Sequence, residues 1–282
     1  MIATLIPAAG SVALFAALAY AIDIIGLTRL AMALSRKFGA VRGLLFACVM
    51  RKSWMSAHAA AFHALPSQTD RDYYAFGSGP LGLLFLPGAL VAHEAYAPVL
   101  RALSEASGAT VVCARLPHRH PIILDEASVH ALLSRFPHVH SWAIGGHSMG
   151  AGRFGAAGLV RPLRESGARV AGLLMWAGAA SGGLDLSGEH SLPTLALLGT
   201  EDPLVHLEGK AEDGTSILDG VTKLLPRGAT YELVRGGNHA GFGHYGPQRF
   251  PIRDGERRVS LEEQQRQVVR HSARFLRGLD MR

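Results

Sequence analysis

The pentapeptide Gly146-His147-Ser148-Met149-Gly150 limits what this chain can fold into more than any other feature. It follows a short apolar run, Ser141-Trp142-Ala143-Ile144-Gly145, suited to a buried strand, and precedes Ala151–Glu165, which reads as a helix. Gly152, Gly155 and Ala156 are small enough to let that helix lie close to a sheet. A serine with a glycine two places before and two places after it marks a sharp strand-to-helix reversal. The serine takes a strained backbone conformation, and a side chain at either flank would strike the neighbouring strand or helix. With 33 glycines in 282 residues the pentapeptide is weak evidence by itself, so its surroundings decide.

Three other runs supply those surroundings. Leu83-Leu84-Phe85-Leu86 is a buried-strand pattern that enters the turn Pro87-Gly88-Ala89. Thr194-Leu195-Ala196-Leu197-Leu198-Gly199-Thr200 is a second such strand, delivering Glu201-Asp202-Pro203 into a loop. Tyr231-Glu232-Leu233-Val234 is a third, with Gly236-Gly237-Asn238-His239 just past its end. Ser148, Asp202 and His239 therefore follow one another in the chain, each beyond the C-terminal end of an expected strand.

Their chemistry is complementary. A serine hydroxyl is a poor nucleophile at neutral pH and needs a base to take its proton. His239 is the candidate base, and Asp202 would hold its tautomer and stabilise the imidazolium. A tetrahedral oxyanion needs two fixed N–H donors. Met149, directly after the nucleophile at a helix start, offers one; Pro87 has no N–H, so Ala89 is the candidate for the other. Asp185, beyond the strand Leu173-Leu174-Met175-Trp176, is an alternative acid, and His244 an alternative base or rim residue.

From about Tyr74 to Phe275 the chain resembles an α/β-hydrolase of the small, cap-less, dienelactone-hydrolase-like kind. The resemblance is carried by Phe85-Leu86-Pro87-Gly88, Glu94-Ala95-Tyr96-Ala97-Pro98, Gly145-Gly146-His147-Ser148-Met149-Gly150, Gly199-Thr200-Glu201-Asp202, and Gly236-Gly237-Asn238-His239 with Phe242-Gly243-His244-Tyr245-Gly246. It implies the nucleophile–acid–base order Ser, Asp, His, with the second oxyanion amide in the loop after the third strand. It implies little about substrate.

The rest of the body alternates expected strands and helices. Strands are expected near 73–76, 81–86, 109–113, 140–145, 170–176, 194–198 and 230–234, with helices near 94–107, 125–135 and 261–279. Such alternation predicts an α/β fold: a mainly parallel sheet with helices on both faces. The seventeen residues 177–193, Gly- and Ser-rich, are too few for a cap domain. Pro117-His118-Arg119-His120-Pro121, with His138 and His140, invites a metal reading, but no carboxylate or cysteine stands at ligand spacing; no metal or other cofactor is expected.

Ile2–Ile22 is an uncharged run of 21 residues, long enough to cross the hydrocarbon core as a helix. Arg29, Arg36, Lys37, Arg42, Arg51 and Lys52 follow it, with Asp23 the one acid before Asp70. The expected organisation is a transmembrane anchor over 1–28, a basic amphipathic juxtamembrane segment over 29–66, and the hydrolase domain over 67–282. Under the positive-inside rule that domain lies on the cytoplasmic side. A cleaved signal peptide ending near Ala19-Tyr20-Ala21, or a helix packed on the body, are the competing readings; no Lys or Arg precedes the apolar run. Residues 1–69 hold six basic and one acidic side chain, the remainder 22 and 21, so the basic excess belongs to this segment and does not indicate a nucleic-acid partner. Cys48 and Cys113 are not expected to pair. The function expected is hydrolysis of a small-molecule or lipid-like ester or thioester through an acyl-enzyme. The alternatives are an acyltransferase on the same triad and a non-catalytic membrane protein of the same fold.

Overall fold

The computed structural model describes residues 54–121, 124–178, 184–203, 223–249 and 253–281. The expected anchor over 1–28, most of the basic segment and Cys48 lie outside them. Among the described residues no helix is long and apolar enough to cross a membrane.

Among the described residues eight strands form one sheet: β1 (Gln68–Thr69), β2 (Tyr73–Phe76), β3 (Leu81–Leu86), β4 (Thr110–Ala114), β5 (Ser141–His147), β6 (Val170–Trp176), β7 (Thr194–Gly199) and β8 (Thr230–Val234), in the order β1-β2-β4-β3-β5-β6-β7-β8. From β4 to β8 every neighbouring pair is parallel, while β1 and β2 add an antiparallel edge. The chain leaves β3 for β4 on one side and returns to β5 on the other. The crossovers therefore diverge there, at the C-terminal ends of β3 and β5, the position where open α/β sheets place their sites.

Among the described residues four helices cover the sheet: α1 (Ala97–Ser107), α2 (Glu126–Leu133), α3 (Ala156–Glu165) and α4 (Leu261–Asp280). β3 is buried on both faces, as a central parallel strand must be. Its Leu83 and Phe85 join a core with Val99, Leu100 and Leu103 of α1 and Val268 and Leu276 of α4. Leu84 and Leu86 join a second core with Leu132 of α2 and Val160 and Leu163 of α3. The helix ends follow local chemistry. Pro98 opens α1 and Gly108, at φ 78°, closes it. The Asp125 carboxylate accepts the Ser128 N–H at 2.7 Å to start α2. Ser260 Oγ accepts the Glu263 N–H at 3.0 Å to start α4.

Two details differ from the sequence expectation. The helix expected from Ala151 begins only at Ala156, because the chain first makes a 3-10 turn at Ser148–Gly150 and then an irregular stretch. The compact body also reaches back to Trp54. Met55 bridges in parallel to Val91 and Ala57 in antiparallel fashion to Tyr245, ahead of a 3-10 turn at Ala59–His63.

The delayed helix has a steric cause. A Cβ on Gly155 would run into the Gly150 carbonyl, and one on Gly150 into the carbonyls of both Leu86 and Pro87. β5 and its exit turn thus lie backbone-to-backbone against the end of β3. Gly150→Ala is expected to destabilise the protein by about 3 kcal/mol, the upper range for overpacking against an immobile neighbour. Urea unfolding of the variant beside wild type measures this; an unchanged midpoint would contradict the packing described.

Candidate active site

β5 carries His147 to its end, and Ser148 follows with φ 54°, a left-handed conformation uncommon outside glycine. The glycines around it leave room for this reversal, so the serine sits at a sharp bend beyond the sheet, where the following 3-10 turn begins. The Pro87–Leu90 turn lies beside it. A Cβ placed on Gly88 would be 3.5 Å from Ser148 Cβ and 2.9 Å from His147 Nδ1.

Of the consecutive amides in that turn, Gly88 N–H donates to Tyr96 Oη at 3.1 Å and Leu90 N–H to the Arg119 carbonyl at 2.6 Å. Ala89 lies between these two committed groups. Tyr96 is itself fully buried and shares a 2.9 Å hydrogen bond with His147 Nδ1, and burial raises its hydroxyl pKa, keeping it protonated. Tyr96 and His147 therefore tie the Pro87–Leu90 turn to the residue next to Ser148. Neither role shows in the sequence alone, although Tyr96 stands in the Glu94-Ala95-Tyr96-Ala97-Pro98 motif.

Asp202 lies three residues past β7 in a turn closed by its own N–H to the Gly199 carbonyl at 3.2 Å. Gly199 approaches Gly237 so closely that no Cβ fits, which draws this turn against the one after β8. There Asp202 Oδ2 meets His239 Nδ1 at 2.7 Å, with both side chains almost wholly buried. Because Nδ1 faces the carboxylate, Nε2 is the nitrogen left to accept a proton. The His239 ring centroid is 4.6 Å from that of His147, the residue before Ser148. Among the described hydrogen bonds none joins Ser148 to His239. Bonds of this kind are commonly long before substrate is in place.

The histidine turn is fastened on several sides. Gln264 of α4 accepts the Asn238 N–H at 3.2 Å and donates to the Asn238 carbonyl at 2.7 Å. Asn238 accepts the Gly241 N–H at 3.1 Å and donates to the Gly255 carbonyl at 2.9 Å. Asp254 accepts the N–H groups of His239 at 3.0 Å and Ala240 at 2.7 Å. Burial pushes the Asp254 carboxyl up, against the lowering effect of those two donors, and the charge of Asp202 adds to the rise. Asp254 carries no sequence signal: it lies fifteen residues from His239 in a stretch without a motif.

The alternative residues stand elsewhere. Asp185 is exposed, and its carboxylate accepts the Ser187 N–H at 2.8 Å. His244 is half-buried, its Nε2 2.8 Å from Gln265 Oε1 and its N–H on the Ala95 carbonyl. Among the described residues no group of three or more His, Cys, Asp or Glu side chains is placed to hold a metal ion. The arrangement that results has a strained serine, a buried carboxylate–imidazole pair, and the Pro87–Leu90 turn beside the serine. It suits proton transfer from a hydroxyl coupled to attack on a carbonyl carbon.

Residues 82–266 match the model described as the alpha/beta hydrolase family. No curated protein matches the chain. Among solved structures it is similar to EstE1, a thermophilic and thermostable carboxylesterase cloned from a metagenomic library, at 14% identity over 78% of this chain and 92% of that one, with a TM-score of 0.50. It also aligns with a Pyrobaculum calidifontis esterase at 16% identity over 74% and 81%, TM-score 0.47. A third alignment is with BorB, the type II thioesterase of the borrelidin biosynthetic cluster, at 19% identity over 59% and 88%, TM-score 0.39. At 14% identity the likeness to EstE1 is one of fold.

Two outcomes follow from the site. Asp202→Asn is expected to leave the protein folded and lower ester turnover roughly 10³-fold or more, because the imidazole loses its orienting carboxylate. Asp185→Asn should stay within about twofold of wild type; steady-state kinetics of both variants compares them, and the reverse ranking would move the acid to the loop after β6. The second outcome concerns stability. Burial holds His120 at about 4 and His147 well below the ordinary 6.5. The unfolded chain takes up these protons near pH 6.5 and the folded chain resists them. Their contribution is therefore complete above pH 6.5 and is lost as pH falls toward 4, at up to about 1.4 kcal/mol per pH unit for each side chain. Urea midpoints measured from pH 7 to 4 should fall in this sense, less steeply in His120→Asn.

Proposed function

The chain belongs to the alpha/beta hydrolase family, and from that premise we propose that it is a serine hydrolase cleaving carboxylic ester or thioester bonds through an acyl-enzyme. The observation that carries the proposal is the buried Asp202–His239 pair, joined at 2.7 Å, whose imidazole lies 4.6 Å from the ring of His147, the residue before a serine in left-handed backbone. Ser148 Oγ attacks the carbonyl carbon while its proton passes to His239 Nε2. The oxyanion that forms is met by the N–H groups of Ala89 and Met149. As the carbonyl re-forms, the bond to the alcohol or thiol breaks and His239 returns its proton to that leaving group. Water then repeats the sequence on the acylated serine and regenerates it.

The proposal extends to place and substrate. The Phe85–Gly88, Gly145–Gly150 and Gly236–His239 motifs support the cap-less, dienelactone-hydrolase-like group. The 21 uncharged residues of Ile2–Ile22 and the six cations after them support attachment to a bilayer with the hydrolase on the cytoplasmic side, and with it an amphiphilic acyl substrate.

Full-length protein is expected to react with a fluorophosphonate probe, and Ser148→Ala to lose both the label and at least about 10³-fold in ester turnover. A variant that labels as wild type does would end the serine-hydrolase reading. In the same preparation the protein should pellet with membranes and resist carbonate extraction; release by high salt alone would leave only surface attraction and remove the anchor.

A further inference from the structure

Three of the residues that hold left-handed backbone without being glycine meet in one place: Leu90 at φ 67°, His118 at φ 51° and Arg119 at φ 57°. Each such conformation costs about 1–3 kcal/mol and persists only where its surroundings over-determine it. Leu90 is the residue directly after Ala89. Its N–H donates to the Arg119 carbonyl at 2.6 Å and its carbonyl accepts the Met55 N–H at 2.8 Å, so the peptide groups on both sides of its Cα are tied. The Met55 carbonyl in turn accepts the Ala92 N–H at 2.9 Å and Arg119 Nη1 at 3.2 Å. The Arg119 guanidinium lies over the Trp54 ring, 4.5 Å from its centroid, an attractive geometry for a cation on an aromatic face.

The same short segment then crosses to the other side of the site. Ala57 bridges to Tyr245, and the His58 N–H donates to the His244 carbonyl at 2.7 Å. His58 Nε2 stands 3.3 Å from the Gly246 carbonyl. Residues 54–58 are therefore bonded at one end to the turn that contains Ala89 and at the other to the loop that follows His239.

We propose that Trp54–His58 is a strap that positions the oxyanion turn: Trp54, Met55 and Arg119 hold Leu90 in its left-handed state and thereby aim the Ala89 N–H. The strap rests on the serine-hydrolase reading, with Ala89 as an oxyanion donor. A dipole stabilises developing charge only if it needs no reorganisation when the charge appears, and small displacements of a reacting group cost large factors in rate. Trp54 and Arg119 are positioning residues in this account, since neither touches the reacting atoms. The sequence Ser148, Asp202, His239 is complete in residues 67–282, yet the strap lies before them.

The test uses full-length Trp54→Ala, Arg119→Ala and Trp54→Phe. It measures kcat and KM on a short water-soluble ester, affinity for an alkyl boronic acid that mimics the tetrahedral state, fluorophosphonate labelling and thermal melting. Both alanine variants are expected to lose about tenfold in kcat and a similar factor in boronic acid affinity, with KM within about twofold of wild type. Trp54→Phe, which keeps a ring beneath the guanidinium, should recover most of the loss. A role in stability alone would lower the melting temperature and leave the folded enzyme's kcat and boronic acid affinity unchanged, and that result would overturn the strap. If Arg119→Ala does not fold, Trp54→Ala decides, because that half-buried ring lies under the Arg119 guanidinium. A wild-type protein that fails to label would remove the serine-hydrolase reading and the strap together; labelled wild type with unaltered alanine variants would remove the strap alone.

Discussion

The close contact between the end of β3 and the exit of β5 sets the rest of the molecule. Where Gly150 meets the Leu86 and Pro87 carbonyls there is no space for a single methyl group, and Gly146 and Gly155 press on the same point. Backbone can approach backbone this closely only if the residues there lack side chains. The consequence is that the chain must reverse immediately after β5, and Ser148 takes the strained conformation the reversal demands. The same contact brings the Pro87–Leu90 turn alongside the serine. One steric fact thus positions both the proposed nucleophile and the loop proposed to serve its oxyanion. It lies at the sheet position where the crossovers diverge.

The electrostatics are built onto that frame from the other side. A carboxylate buried as deeply as that of Asp202 is costly unless a partner receives it, and His239 does so through Nδ1. The pair is held in place by backbone, through Gly199 against Gly237, and by α4, through Gln264 on Asn238. Asp254 adds a second carboxylate facing the N–H groups at the start of the 3-10 turn Ala240–Phe242. His147, by contrast, is kept neutral by burial, so its ring next to His239 would place no second positive charge beside the imidazolium of the proposed mechanism.

What could be read from the chain was whatever repeats with a short period. β3, β5, β6 and β7 are buried apolar runs, and each ends in a glycine or proline turn, so Ala89, Ser148 and Asp202 could be placed from local pattern; His239 follows β8 in the same way. The start of α3 departs from the local pattern because residues 151–155 have helix-compatible spacing, while Gly155 packs against the Gly150 carbonyl. Asp254 and the Tyr96–His147 link were not legible, because each depends on residues distant in the chain that only the fold brings together. The Trp54–His58 segment was obscured by its neighbours. It sits directly after Arg51 and Lys52 and has no periodicity of its own, and its interactions run mainly through backbone groups that no side-chain pattern records.

The central claim is that Ser148 is the nucleophile and that Ala89 and Met149 receive the oxyanion. The most direct measurement is a crystal structure of the protein after reaction with an alkyl fluorophosphonate. The account predicts phosphorus bonded to Ser148 Oγ, its phosphoryl oxygen within about 2.7–3.1 Å of the Ala89 and Met149 nitrogens, and His239 Nε2 facing the oxygen bonded to the serine. An adduct whose phosphoryl oxygen points away from both amides, or a modified residue other than Ser148, would contradict it.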